Sequence, residues 1–170
     1  MALFEKFGEF DSAEEINELA MNLHEEGDND SIIALAEENG IPKDYADFVI
    51  MGQFPYLCDS TTAALGKIEV EAADLKPQGV MVDWIEYIKA VCLEDGTMAE
   101  NIRKKGRSLK GCIGRILKYA FEHQKEVDTE IVKAAGVKGP GKVTFGMPGQ
   151  AECRKRRTSG SSSMSKQRNS

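Results

Sequence analysis

The stretch Met98–Gln124, MAENIRKKGRSLKGCIGRILKYAFEHQ, decides how the chain is read. It begins as a short amphipathic helix and passes through the basic turn Arg103-Lys104-Lys105-Gly106-Arg107. A second helix follows, with Ser108 placed to cap it. Its apolar residues are Leu109, Cys112, Ile113, Ile116, Leu117, Ala120 and Phe121. They fall on the i, i+3, i+4, i+7 stripe of a helix with one face in a core. Lys110, Arg115 and Lys118 lie off that stripe. One segment therefore supplies both a core element and a basic face.

The same grammar extends toward the N-terminus. Ser12 and Glu15 form a capping box for a helix running to about Glu26, with Ile16, Leu19, Ala20 and Leu23 inward and Gly27 as its stop. Its other face is acidic, from Glu14, Glu15, Glu18, Glu25 and Glu26. Asp30 or Ser31 is expected to cap a helix over Ile32–Glu38, which Asn39-Gly40 ends. Pro42 opens a third helix that ends near Gly52. The turn in Leu35–Ile41 faintly suggests a helix-turn-helix, but the following helix sets Asp44 and Asp47 against a single Lys43, the wrong charge for phosphates. Asp59 or Ser60 caps a helix over Thr61–Ala73 carrying Leu65, Ile68 and Ala72. The helix over Gln78–Leu93 turns Met81, Trp84, Ile85, Ile88, Val91 and Cys92 inward, and Thr97 caps the one after it.

Beyond Gln124 the pattern predicts a helix over Asp128–Ala135 closed by Gly136, a hinge at Lys138–Gly141 and a β-like run at Val143–Phe145. From Glu152 the composition turns to Arg, Lys, Ser and Gly, which cannot bury enough surface to offset its ordering entropy. The expectation is an all-α fold: a compact bundle of about seven short helices, with a short β-like segment and a disordered basic tail. Its domains are a helical domain over 1–136, a linker over 137–151 and the tail over 152–170. Phe4, Phe7, Phe10, Phe54 and Tyr56 are more apolar material than one small domain hides easily.

Charge is divided along the chain. Residues 1–100 hold 5 Lys and Arg against 23 Asp and Glu, a balance of −18, while residues 101–170 hold 17 against 5, a balance of +12. Such asymmetry points to interaction surfaces. No apolar run reaches the ~18–20 residues of a membrane helix. The opening MALFEKFGEF lacks a basic start followed by an apolar core, so no secretory signal is expected. The cytosol is the expected setting. The four cysteines, Cys58, Cys92, Cys112 and Cys153, are not paired at metal-ligand spacing and are read as idle thiols in a reducing compartment.

Catalytic patterns are missing. Gly106–Gly111 has neither the spacing nor the preceding strand of a phosphate-binding loop, and there is no HExxH and no Cys-His cluster. Carboxylate pairs such as Glu14/Glu18 and Asp44/Asp47 suit a solvated face better than acid–base work. No enzyme, cofactor or metal is expected. Two contact candidates remain. One is basic: Arg103, Lys104, Lys105, Arg107, Lys110, Arg115 and Lys118, for nucleic acid phosphates or an acidic protein surface. The other is the acidic face of Glu14, Glu15, Glu18, Glu25 and Glu26, whose carboxylates can imitate a nucleic acid backbone.

Residues 84–124, WIEYIKAVCLEDGTMAENIRKKGRSLKGCIGRILKYAFEHQ, followed after a spacer by VTFGMPG at 143–149, resemble the PcfK-like proteins of conjugative elements and phages of gut Firmicutes. The N-terminal part, from FEKFGEFDSAEEIN through AALGKIEVEAADLKP, looks like a type II-A anti-CRISPR protein of gut Clostridia. The chain departs from the PcfK-like pattern after Gly146, where Met147-Pro148-Gly149 leads into the basic tail rather than an aromatic-bearing helix. The resemblance implies an inhibitor that binds a type II CRISPR effector nuclease, with or without guide RNA, and blocks DNA recognition or cleavage. The alternative is a nucleic-acid-binding accessory protein of a mobile element; an unrecognised small hydrolase or nuclease is a third reading.

Overall fold

A computed structural model describes residues 3–139, 141–149 and 151, and is all-α apart from one pair of two-residue strands. Contacts divide the chain into two units, one ending at Ile113 and the other beginning at Gly114. The helical domain expected over 1–136 therefore groups differently, with Asp128–Gly136 beside the strands.

In the first unit α1 (Ala13–Glu26), α2 (Asn29–Glu38) and α3 (Lys43–Ile50) pack on one another. The helices α4 (Ser60–Leu75), α5 (Val80–Glu94) and α6 (Gly96–Arg103) form a second packed set. Ile16, Ile32, Leu35, Ala46, Val49 and Leu57 are buried at the centre of the first set, and Trp84, Ile85, Ile88, Val91 and Cys92 line the inner face of α5.

Polar side chains set most of the starts. Ser12 Oγ accepts from Glu15 N at 3.3 Å, while the Glu15 carboxylate accepts from Asp11 N at 2.7 Å, one residue earlier than in the usual capping box. Asp59 caps α4 through Thr62 N. Two expected caps are displaced. Asp28, not Asp30 or Ser31, caps α2, because its carboxylate takes both the N–H and the hydroxyl of Ser31. Asp95, not Thr97, caps α6 by accepting from Thr97 N and Met98 N. In both cases a carboxylate a few residues upstream outcompetes the candidate and lengthens the helix.

The helix α7 (Leu109–Glu122) starts where Ser108 Oγ accepts from Gly111 N, as the sequence predicts. Its stripe is only partly inward. Leu109, Ile113 and Ala120 are buried, but Leu117 is 46 % and Phe121 78 % exposed. The stripe is wider than the surface available to cover it.

In the second unit β1 (Lys125–Glu126) pairs antiparallel with β2 (Thr144–Phe145), Lys125 opposite Phe145. The β-like run thus has a partner that two charged residues in sequence did not advertise. Between the strands lies α8 (Thr129–Ala134), capped by Asp128 and bringing the described helices to eight rather than about seven. Gly146 lies against the Ala120 carbonyl so closely that a Cβ there would overlap it. Pro140 of the expected hinge and the expected tail over 152–170 lie outside the described residues.

In the first unit two backbones approach closely at Gly40, at φ +65° after α2, and Gly66 in α4, where a Cβ on either residue would overlap the opposing backbone. Gly66→Ala is expected to destabilise by about 2–3 kcal/mol, since two main chains must separate. Gly114→Ala, in α7 with nothing within 4 Å of the added methyl, should instead stabilise by about 0.5–1 kcal/mol through helix propensity. Chemical denaturation of the two variants checks both signs.

Candidate functional site

The basic turn is built around two buried cations. Lys67, in α4, is 1 % exposed, and its Nζ donates to Glu9 Oε1 at 2.6 Å and to the carbonyls of Lys104 at 3.0 Å and Arg103 at 3.5 Å. Arg103, the last residue of α6, is also 1 % exposed. Its Nη2 donates to Asn39 Oδ1 at 3.1 Å, and its guanidinium stands 5.6 Å from the centre of the Phe4 ring. Nε and Nη1 are buried without a hydrogen-bond partner among the described residues.

The N-terminal arm completes the arrangement. Glu9 also accepts from Gly106 N at 3.2 Å, and Asp11 accepts from Lys105 N at 3.1 Å. Further back, the Glu38 carboxylate accepts from Lys6 N and Phe7 N. Glu71, one turn after Lys67, accepts from Leu109 N at the start of α7. The arm, α4 and the turn at 104–109 are thereby tied together.

These contacts set the acidities. Burial works against ionised Glu9, but the hydrogen bonds from Lys67 and Gly106 and the charges of Lys67 and Arg103 hold its carboxyl below the ordinary 4.5. Burial dominates at Glu71 and raises its carboxyl above 4.5, despite the Leu109 N–H and the Lys67 charge. Burial also lowers the Arg103 value. The thiols follow the same rule: burial pushes Cys58 up to about 12 and Cys92 to about 11, far from a reactive thiolate.

The expected basic face therefore changes membership. Arg103 is withdrawn as a contact residue, because its head group is buried. Lys104, Lys105, Arg107 and Lys110 are exposed and form no ion pair with a described residue. Arg115 and Lys118 are exposed in the second unit, where Lys118 meets Glu122 at 3.8 Å. Glu14, Glu15, Glu18, Glu25 and Glu26 are all exposed on α1. Between residues 12 and 66 the chain carries twelve carboxylates and one cation, Lys43. On α2 and α3, Asp30, Glu37 and Asp44 add to the exposed set.

A cleft of about 290 Å³ opens beside the N-termini of α1 and α4, with Asp11, Glu14 and Glu100 set against Arg103 and Lys104. In the second unit a cleft of about 510 Å³ is lined by Tyr119, His123, Lys125, Glu126 and Phe145, with the Tyr119 and His123 rings stacked at 3.9 Å. Among the described residues no three of His, Cys, Asp and Glu converge as a metal-holding group, and no helix is long and apolar enough to cross a membrane.

Sequence reasoning missed Lys67 as an inner residue. The available signal was its neighbourhood: AALGKI places a lone lysine among small and apolar residues of α4, with Ala63, Ala64, Gly66 and Ile68 all buried.

Lys67→Ala is expected to cost about 3 kcal/mol, because it strands Glu9 beside an empty space. Lys104→Ala should stay within about 0.5 kcal/mol; urea titrations of both variants decide. The depressed Glu9 value implies stability that is present above pH 4.5 and lost as pH falls through the folded value. The melting-temperature gap between wild type and Glu9→Gln should therefore be widest near neutral pH and close on acidification. Glu71 acts with the opposite sign, its raised value favouring the fold at low pH and losing that contribution as pH rises. Comparison with known proteins returned no matching family model, no matching curated protein and no matching solved structure.

Proposed function

We propose that the protein is an anti-CRISPR protein: it binds a type II CRISPR effector nuclease and blocks DNA recognition or cleavage. The observation that carries this reading is the ratio of twelve carboxylates to one lysine over residues 12–66, ten of the twelve on three helices packed in one unit. RNA-guided effectors hold nucleic acid in strongly cationic channels. Carboxylates on a rigid helical frame suit such a channel and need no ordering when they bind. Glu14, Glu18 and Glu25 share one face of α1 by their helical spacing, so a row of charge is ready-made. The resemblance to type II-A inhibitors supports the same reading.

A cleavage assay with purified effector, guide and target tests it. Wild type is expected to inhibit near stoichiometry. Glu14→Lys combined with Glu18→Lys and Glu25→Lys should weaken inhibition by about tenfold or more, with raised salt acting in the same direction. Full cutting at large molar excess of the wild-type protein refutes the reading.

A second reading, a nucleic-acid-binding accessory protein of a conjugative element or phage, is favoured by Lys104, Lys105, Arg107 and Lys110. These are exposed and make no ion pair with a described residue. It requires a salt-sensitive mobility shift with DNA or RNA that is lost when the four are neutralised. No shift at low salt removes it.

A further inference from the structure

Each unit exposes an apolar surface, and the two sit in opposite electrostatic settings. In the first unit Tyr45, Phe48, Met51, Phe54 and Tyr56 are all exposed, from 37 % at Phe48 to 67 % at Met51. The Phe48 and Phe54 rings meet edge to face at 5.6 Å, and Phe54 and Tyr56 lie 6.2 Å apart. They form a continuous aromatic patch rather than scattered side chains. Its helix carries Asp44 and Asp47 against the single cation Lys43.

In the second unit Leu117 and Phe121 stand four residues apart on α7, forming one exposed apolar ridge. Lys118 lies beside it, paired with Glu122 at 3.8 Å, and residues 114–149 carry six Lys and Arg against four Asp and Glu. The ridge is narrow and helical, whereas the patch is broad and aromatic. An apolar helix face with a basic flank fits an aromatic surface with an acidic flank. A nucleic acid or an anionic membrane on the patch would bring phosphates against Asp44 and Asp47.

We propose that the chain self-associates through these surfaces: the Leu117–Phe121 ridge of one copy docks on the Phe48–Phe54–Tyr56 patch of a second copy. A contact between two unlike surfaces closes as a twofold dimer when it is made reciprocally and runs on as a filament when it is not. The acidic and basic ends of one chain then neutralise those of its partner.

Sedimentation analysis of the full-length protein, up to about 100 µM, tests this. Wild type should self-associate, and raised salt should weaken the association. Phe54→Ser and Phe121→Ser both alter exposed side chains, and circular dichroism should show both folded. Each alone should weaken self-association by about tenfold or more. The two variants mixed should associate better than either alone, because the mixed pair keeps one intact ridge-on-patch contact. A monomeric wild type overturns the proposal. So does a dimer that either substitution leaves unchanged, or a mixture no stronger than its components, which would mean that each surface pairs only with its own kind.

Discussion

The burial of the Lys67 ammonium is the constraint on which the first unit depends. A charge withdrawn from water must be met on every donor, or it destabilises by several kcal/mol. Lys67 meets this with the Glu9 carboxylate and the carbonyls of Arg103 and Lys104. Those partners come from the N-terminal arm and the end of α6, so satisfying one ammonium ties α4 to two remote segments at once. Glu9 passes the constraint on to Gly106, and Glu71 does the same for the start of α7 through Leu109 N. Arg103 ties in the end of α2 through Asn39, beside the Gly40–Gly66 approach.

This arrangement holds a turn of consecutive cations in place. Like charges in sequence repel and favour an extended chain. Here the turn's backbone is held by carboxylates at Lys105 and Gly106, and one of its cations is internal. The side chains of Lys104, Lys105 and Arg107 are left to solvent. The strongest acidic surface is carried by α1–α3, where the core is made by Ile16, Ile32 and Leu35 and the outer positions are free to hold carboxylates. One chain thus displays surfaces of both signs, and each apolar surface lies in a distinct electrostatic setting. Binding by charge and shape is the common thread of both functional readings.

Much of the helical pattern was legible because local rules decide it. Ser12, Asp59, Ser108 and Asp128 cap as their positions suggest, and the inward residues of α1 and α5 follow the 3.6-residue period. Asp28 and Asp95 were misread because several candidate caps stand within three residues of each other. Which carboxylate reaches a free N–H depends on backbone angles that composition does not reveal. The strand pair was half legible: Thr144–Phe145 has β-forming residues, whereas Lys125–Glu126 is a strand only because Phe145 lies opposite it.

The sequence by itself determined the all-α class, the helix starts where one cap stands alone, the acidic outer face of α1 and the division of charge along the chain. These follow from period, propensity and composition, each of which acts over a few residues. Only the tertiary structure decided that Lys67 and Arg103 are inside while Leu117 and Phe121 are outside. A lysine can be buried only where remote oxygens converge on it, and a phenylalanine is covered only where another element arrives to cover it. Both outcomes depend on residues tens of positions away.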